Sequence, residues 1–208
     1  MGRISHAHVL PILDGESEGP RPFLVTPFME RTVADLVADG PVRPDVVAGI
    51  GRQAAEGIAH IHDRGIIHCD VKPANLFLDG GRLRIGDFGI ARDATGGGDP
   101  RVIGSIHYMA PDRVKERTAR KADDLYSLGV VLYEMVVGHP PYLGDRPIDV
   151  ARQHIAGLPR LQPRLGAAGL LGGVIEALLS VSRSARPNAR RVAVELAMLE
   201  RPVVDAAG

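Results

Sequence analysis

The sequence predicts an α+β fold in which a small β-structured segment precedes a mostly helical body. Three observations predict it. Short apolar runs around a Gly/Glu/Pro turn segment occupy the first 30 residues. From Thr32 onward, apolar residues recur at three- and four-residue steps, the period of helices with one buried face. One hairpin signal, Asp79-Gly80-Gly81 between two short apolar runs, interrupts that helical pattern. The chain has 208 residues, 45% of them apolar, enough for a single globular domain with a sizeable core.

Taken in order, Val9-Leu10-Pro11-Ile12-Leu13 and Phe23-Leu24-Val25 are the first expected strands, with turn residues from Gly15 to Pro22 between them. Thr32 with Asp35 reads as a capping box, opening a helical segment. A long helix is expected from about Asp45 to Arg64, started by Pro44 and stopped by Gly65. Val47, Ile50, Ala54, Ile58 and Ile61 form its buried stripe. Two short strands follow, Leu76–Leu78 and Arg82–Ile85. Ala94–Pro100 is a loop with three consecutive glycines, Gly96 to Gly98, which follow no strand and so make no phosphate cradle. Asp124–Val137 is apolar around most of its circumference and is expected at the centre of the fold, ended by Gly138 and Pro140-Pro141. Two further helices are expected near Leu170–Val181 and Ala189–Leu199.

Composition narrows the function. The formal net charge is zero, against a dedicated nucleic-acid or acidic-membrane binder. The single cysteine, Cys69, cannot form an internal disulfide and suits a reducing compartment. The N-terminus carries no apolar signal core, and no stretch approaches the ~20 apolar residues of a membrane span. The expected location is cytoplasmic. His60 and His62 are two apart on a helix and do not share a face, against a metal site there.

The informative stretches are Ile66-Ile67-His68-Cys69-Asp70-Val71-Lys72-Pro73-Ala74-Asn75, then Asp87-Phe88-Gly89, then Gly104-Ser105-Ile106-His107-Tyr108-Met109-Ala110-Pro111-Asp112. Phosphoryl transfer from ATP needs metal ligands, an acceptor for the substrate hydroxyl proton and a cation near the transferring group. His68-Cys69-Asp70, with Asn75 five positions after Asp70, resembles the catalytic loop of protein kinases. Asp87-Phe88-Gly89 resembles the metal-binding motif that opens their activation segment, and Ala110-Pro111-Asp112 the motif that closes it. Lys72-Pro73 has the form typical of Ser/Thr kinases. The helix Asp124–Glu134 and Arg186-Pro187 extend the likeness over nearly the whole chain. The sequence is similar to the bacterial eukaryote-like Ser/Thr protein kinases, and the implied fold is protein-kinase-like: a helical large lobe with a remnant of the β-rich small lobe.

The resemblance implies specific roles. Asp70 would accept or orient the substrate hydroxyl proton, and Lys72 would offset charge on the transferring phosphoryl. Asn75 and Asp87 would hold Mg²⁺. Phe28 and Met29 would be the hinge that meets the adenine of ATP, with Thr26 as gatekeeper and Phe77 beneath the ring. His68 and Phe88 would stack in the hydrophobic spine, followed by Gly89. Asp124 would brace the catalytic loop, Asp112 would pair with Arg186, and Ser105 would stand near the substrate site. Cofactors would be ATP and Mg²⁺, and substrates would be proteins with Ser or Thr. The implied division is a partial small lobe and hinge over residues 1–30, the large lobe over 31–201 and a tail over 202–208.

Three departures from the family pattern stand out. The glycine-rich loop and the V-A-I-K strand are not found, and no lysine precedes Lys72. The chain reads as starting at the fourth strand of the small lobe, with the missing part supplied by a segment outside this sequence or by a partner. Cys69 replaces the arginine beside the catalytic aspartate, so phosphorylation of Thr95 is not expected to activate the protein. Asp112 replaces a glutamate and is one methylene shorter, which suggests a looser pair with Arg186. Besides kinase activity, a kinase-like binding module with impaired catalysis fits these departures. A small-molecule phosphotransferase fits less well, because the closing motif, Ser105 and Tyr108-Met109 favour protein substrates.

Overall fold

The computed structural model describes residues 5–16, 21, 23–87, 106–116, 118–157 and 163–199. Strands β1 (Asp14–Glu16) and β2 (Phe23–Val25) form an antiparallel pair with Gly15 opposite Leu24. Strands β3 (Arg31–Thr32), β4 (Leu76–Asp79) and β5 (Arg82–Ile85) form an antiparallel sheet with β4 in the middle. Gly80 and Gly81 close the β4–β5 hairpin with φ of +53° and +81°, the paired left-handed conformation that a two-residue turn of this kind requires.

The first expected strand is shifted. Val9 makes only an isolated parallel bridge to Ile85, and regular pairing begins at Asp14. Pro11 has no amide to give to a ladder. The segment before it is drawn instead onto the helical body. There the Leu10 amide donates to the Ile85 carbonyl (2.8 Å), and the Ile85 amide donates to that of His8 (3.0 Å). A Cβ on Gly57 would lie 2.6 Å from the His8 carbonyl oxygen, so this glycine lets the segment rest directly on its helix.

Helix α1 (Val33–Ala38) opens on the expected capping box: the Thr32 amide donates to Asp35 (2.7 Å) and the Asp35 amide to the Thr32 hydroxyl (3.4 Å). Helix α2 (Pro44–Asp63) buries the expected stripe and adds Ala48, Gly51, Ala55, Gly57 and His62 to it. Helix α3 (Pro111–Glu116) leads to α4 (Lys121–Val137), which begins three residues before the expected start and is buried from Asp123 to Val137. Gly138 ends α4 at φ +96°, its amide returning to the Glu134 carbonyl at 2.7 Å.

Helices α5 (Pro147–Ala156), α6 (Pro163–Ala167), α7 (Leu170–Leu178) and α8 (Ala189–Ala197) complete the described elements. The sequence pattern did not reveal α3, α5 or α6. The first and last are one to two turns long. The buried stripe of α5 is Val150, Ala151 and His154, and its histidine conceals the apolar period. The core lies between α4 and its neighbours α2, α6 and α7, with α8 packed along α2. Among the described residues, no helix is long and apolar enough to cross a membrane.

Candidate active site

Residues 66–75 cross from the end of α2 to the start of β4, and their backbone is held from within the core. Asp124, in the first turn of α4, is 1% exposed. Its Oδ2 accepts from the His68 amide and its Oδ1 from the Cys69 amide, both at 2.9 Å. His62 Nε2 donates to the same carboxylate at 2.7 Å. A buried carboxylate with three donors has its hydrogen-bonding demand met.

His68 links this loop to the end of β5. The Asp70 amide donates to His68 Nδ1 (3.3 Å), which leaves Nε2 as the protonated nitrogen, donating to the Gly86 carbonyl (3.2 Å). Burial holds this imidazole below its ordinary pKa, so it stays neutral. The Gly86 amide in turn donates to the Asn75 carbonyl at 3.0 Å. The loop and the residue before Asp87 are thus tied at both ends.

Asp70 sits in a polar cluster of its own. Its Oδ2 accepts from Lys72 Nζ at 2.6 Å and from Asn75 Nδ2 at 3.0 Å. Asn75 Nδ2 also donates to the Asp70 carbonyl at 2.8 Å, which turns the amide oxygen of Asn75 to the opposite side. Lys72 and Asp70 are each 24% exposed, open enough to meet a solute. Asp87 follows β5, is exposed, and has φ +51°. Left-handed backbone at a residue other than glycine costs of order 1 kcal/mol and recurs at functional sites. The β4–β5 pairing, with Leu76 opposite Ile85, sets Asn75 and Asp87 at the same end of the hairpin.

The β3–β4 pairing, with Thr32 opposite Phe77, brings the segment carrying Phe28 and Met29 toward the same hairpin. Phe28 is 89% exposed and Phe77 half-buried. A Cβ on Gly86 would stand 2.8 Å from the Phe77 ring, so the glycine before Asp87 makes room for it. Phe88, Gly89, Thr95, the Gly96–Gly98 run, Ser105 and the expected tail lie outside the described residues.

Behind the loop, Arg186 Nη2 donates to Asp112 Oδ2 at 2.6 Å, so the shorter acidic side chain does not open this pair. The Arg186 side chain is fully buried. It also reaches the Ser180, Ala122 and Val181 carbonyls and lies 5.0 Å from the centre of the Tyr126 ring. The Tyr108 hydroxyl donates to Glu134 at 2.8 Å, and burial pushes the Glu134 carboxyl above its usual range.

Two contributors escaped the sequence reading. His62, weighed only as a metal ligand, is a partner of Asp124. The signal was its place four residues after Ile58, on the buried stripe of α2. Arg113 carries no motif or apolar period that marks it in the sequence; its guanidinium donates to the Cys69 carbonyl.

A family model described as protein kinase domain matches residues 1–193. The serine/threonine-protein kinase PknB of Mycolicibacterium smegmatis is 37% identical over 164 residues, covering 73% of this chain and 26% of that protein. PknB of Mycobacterium tuberculosis is 32% identical over 205 residues, 93% of this chain and 33% of that protein. The serine/threonine-protein kinase PknL of the same species is 31% identical over 207 residues, 95% of this chain and 50% of that protein. The chain therefore spans between a quarter and a half of the length of these relatives.

Proposed function

The chain belongs to the protein kinase domain family, among the bacterial eukaryote-like Ser/Thr kinases, and on that premise we propose that it transfers the γ-phosphoryl of ATP to serine and threonine hydroxyls of proteins. The observation that carries the reading is the Asp70 carboxylate, held by Lys72 and Asn75 beside the hairpin end that also bears Asp87. A carboxylate so held can orient a hydroxyl and take its proton. Lys72, bonded to that carboxylate, is the proposed cation that offsets charge on the group in transfer.

The residues present fit magnesium, a hard cation that takes oxygen ligands. Asn75 offers the amide oxygen that its own hydrogen bonds turn away from Asp70, and Asp87 offers a carboxylate. When bound, magnesium neutralises phosphate charge and lines up the terminal phosphoryl group. Phe28, Met29 and Phe77 are the proposed adenine contacts. Use of ATP argues for action in the cytoplasm.

The test is radiolabel transfer from ATP with magnesium to a dephosphorylated acceptor protein, with Asp70→Asn as the control. Transfer by the wild type and none by the variant is expected; equal transfer by both would sink the reading. A second reading, a kinase-like module that binds partners with impaired catalysis, draws on one observation. The first lysine of these 208 residues is Lys72, so a lysine for the α- and β-phosphates is not among them. Nucleotide binding without transfer in the same assay is its expected result.

A further inference from the structure

We propose that Arg113 is a positioning residue for Asp70, clamping the peptide unit that carries it; this rests on the kinase reading above. The unit between Cys69 and Asp70 is gripped at both of its polar ends. Its carbonyl, that of Cys69, accepts a hydrogen bond from Arg113 Nη1. Its amide, that of Asp70, donates to His68 Nδ1 at 3.3 Å. The preceding unit is held by the Cys69 amide donating to Asp124 at 2.9 Å.

The clamp acts where the chain most needs one. Cys69 has φ +68°, a conformation that a residue with a Cβ keeps only when its surroundings enforce it. The Cys69 side chain supplies little of that enforcement. Among the described residues its thiol reaches the Ile67 carbonyl, at 3.6 Å. A hydrogen bond from a cation is about twice as strong as a neutral one. The guanidinium therefore contributes most to keeping this peptide plane, and with it the Asp70 carboxylate, in one orientation.

The clamp also joins two segments. Arg113 lies on α3, directly after Asp112, whose carboxylate pairs with the buried Arg186. Its backbone amide returns to the Ala110 carbonyl at 3.0 Å. A shift of the 110–113 segment would therefore pull on the Cys69 carbonyl and turn Asp70. Catalytic geometry at Asp70 and the seating of the Ala110-Pro111-Asp112 motif become one coupled arrangement, through a charge that needs no modification to appear.

The experiment compares wild type, Arg113→Met and Arg113→Lys by kcat and KM for ATP-dependent transfer and by amide hydrogen exchange across residues 66–75. Arg113→Met should lower kcat by about tenfold or more, because small misplacements of a reacting group are costly. KM for ATP should stay within about twofold, since Asn75 and Asp87 are untouched. Exchange should quicken in 66–75 while the thermal midpoint and protection of α4 hold. Arg113→Lys, which keeps the charge, should recover part of both effects. Wild-type kcat and exchange in Arg113→Met would overturn the proposal. So would a general loss of protection with no excess at 66–75, the mark of a merely structural residue. If the wild type transfers no phosphoryl group, the kinase reading fails by itself, and local exchange alone then decides whether Arg113 clamps the loop.

Discussion

Asp124 and Arg186 are two buried charges whose partners lie 56 and 74 residues away: one braces the amides of His68 and Cys69, the other holds Asp112 at the start of α3. Removing the Asp124 carboxylate leaves two amides and a histidine N–H in the core without an acceptor, each unpaired group costing about 1–3 kcal/mol. Asp124→Ala should therefore cost about 3 kcal/mol or more by chemical denaturation and abolish any transfer activity. A loss below about 1 kcal/mol would mean that the loop holds itself. Arg186 keeps three carbonyl partners and Asp123 at 3.5 Å when Asp112 is removed. Asp112→Ala should thus cost about 2 kcal/mol, below the usual toll for stranding a buried charge. Asp112→Glu should leave stability within about 0.5 kcal/mol, because the pair is already closed at 2.6 Å.

At the scale of elements, glycine contacts and caps decide how closely the helices approach. A Cβ on Gly129 of α4 would stand 2.7 Å from the Cβ of Leu178 on α7, an atom that no rotamer change can move away. Gly129→Ala should force the two helices apart at a cost of about 1–3 kcal/mol, read as a lower urea midpoint. Gly173, on α7 itself, meets nothing within 4 Å, and Gly173→Ala should stabilise by about 0.5–1 kcal/mol. The opposite signs are the test: similar effects at both sites would refute the packing account. Helix α8 is started by Asn188, whose Oδ1 accepts from the Arg191 amide at 3.0 Å. Asn188→Ala should cost about 1 kcal/mol, with the increase in exchange confined to the first turn of α8.

For the whole molecule, the clearest pH dependence is expected from His154. It is fully buried, its Nδ1 accepts from the Tyr126 hydroxyl at 2.7 Å, and burial lowers its pKa to about 4. In the unfolded chain a histidine titrates near 6.5. Between these values the unfolded state binds the proton and the folded state does not. Stability is therefore complete above about pH 6.5 and falls as pH drops toward 4. The gap between 6.5 and about 4 corresponds to roughly 3 kcal/mol. Urea midpoints at pH 7.5 and 5 should show this slope. His154→Gln should flatten it in part, because His6, His60 and His68 are lowered by burial as well. An unchanged slope in the variant would remove His154 from the account.

How much was legible follows from where each piece of information resides. Capping box, buried stripe of α2, Gly-Gly hairpin, apolar α4 and glycine stops are set by neighbours within one or two turns, and the sequence alone determined them. The ordered motifs from His68 to Arg186 likewise determined the family by themselves. The sequence could not show that Val9 and Leu10 leave the first strand while His8 rests on Gly57, because that choice depends on a helix almost fifty residues later. Nor could it show that His62 joins Asp124, that Asp112 reaches Arg186 in spite of its length, or that Arg113 holds the carbonyl of Cys69. Hydrogen bonds between segments distant in the chain have no period and no local signature. Only the packing of α2, α3 and α4 around the loop decided them, because only the folded core brings those donors and acceptors within 3 Å and removes the water that would otherwise serve them.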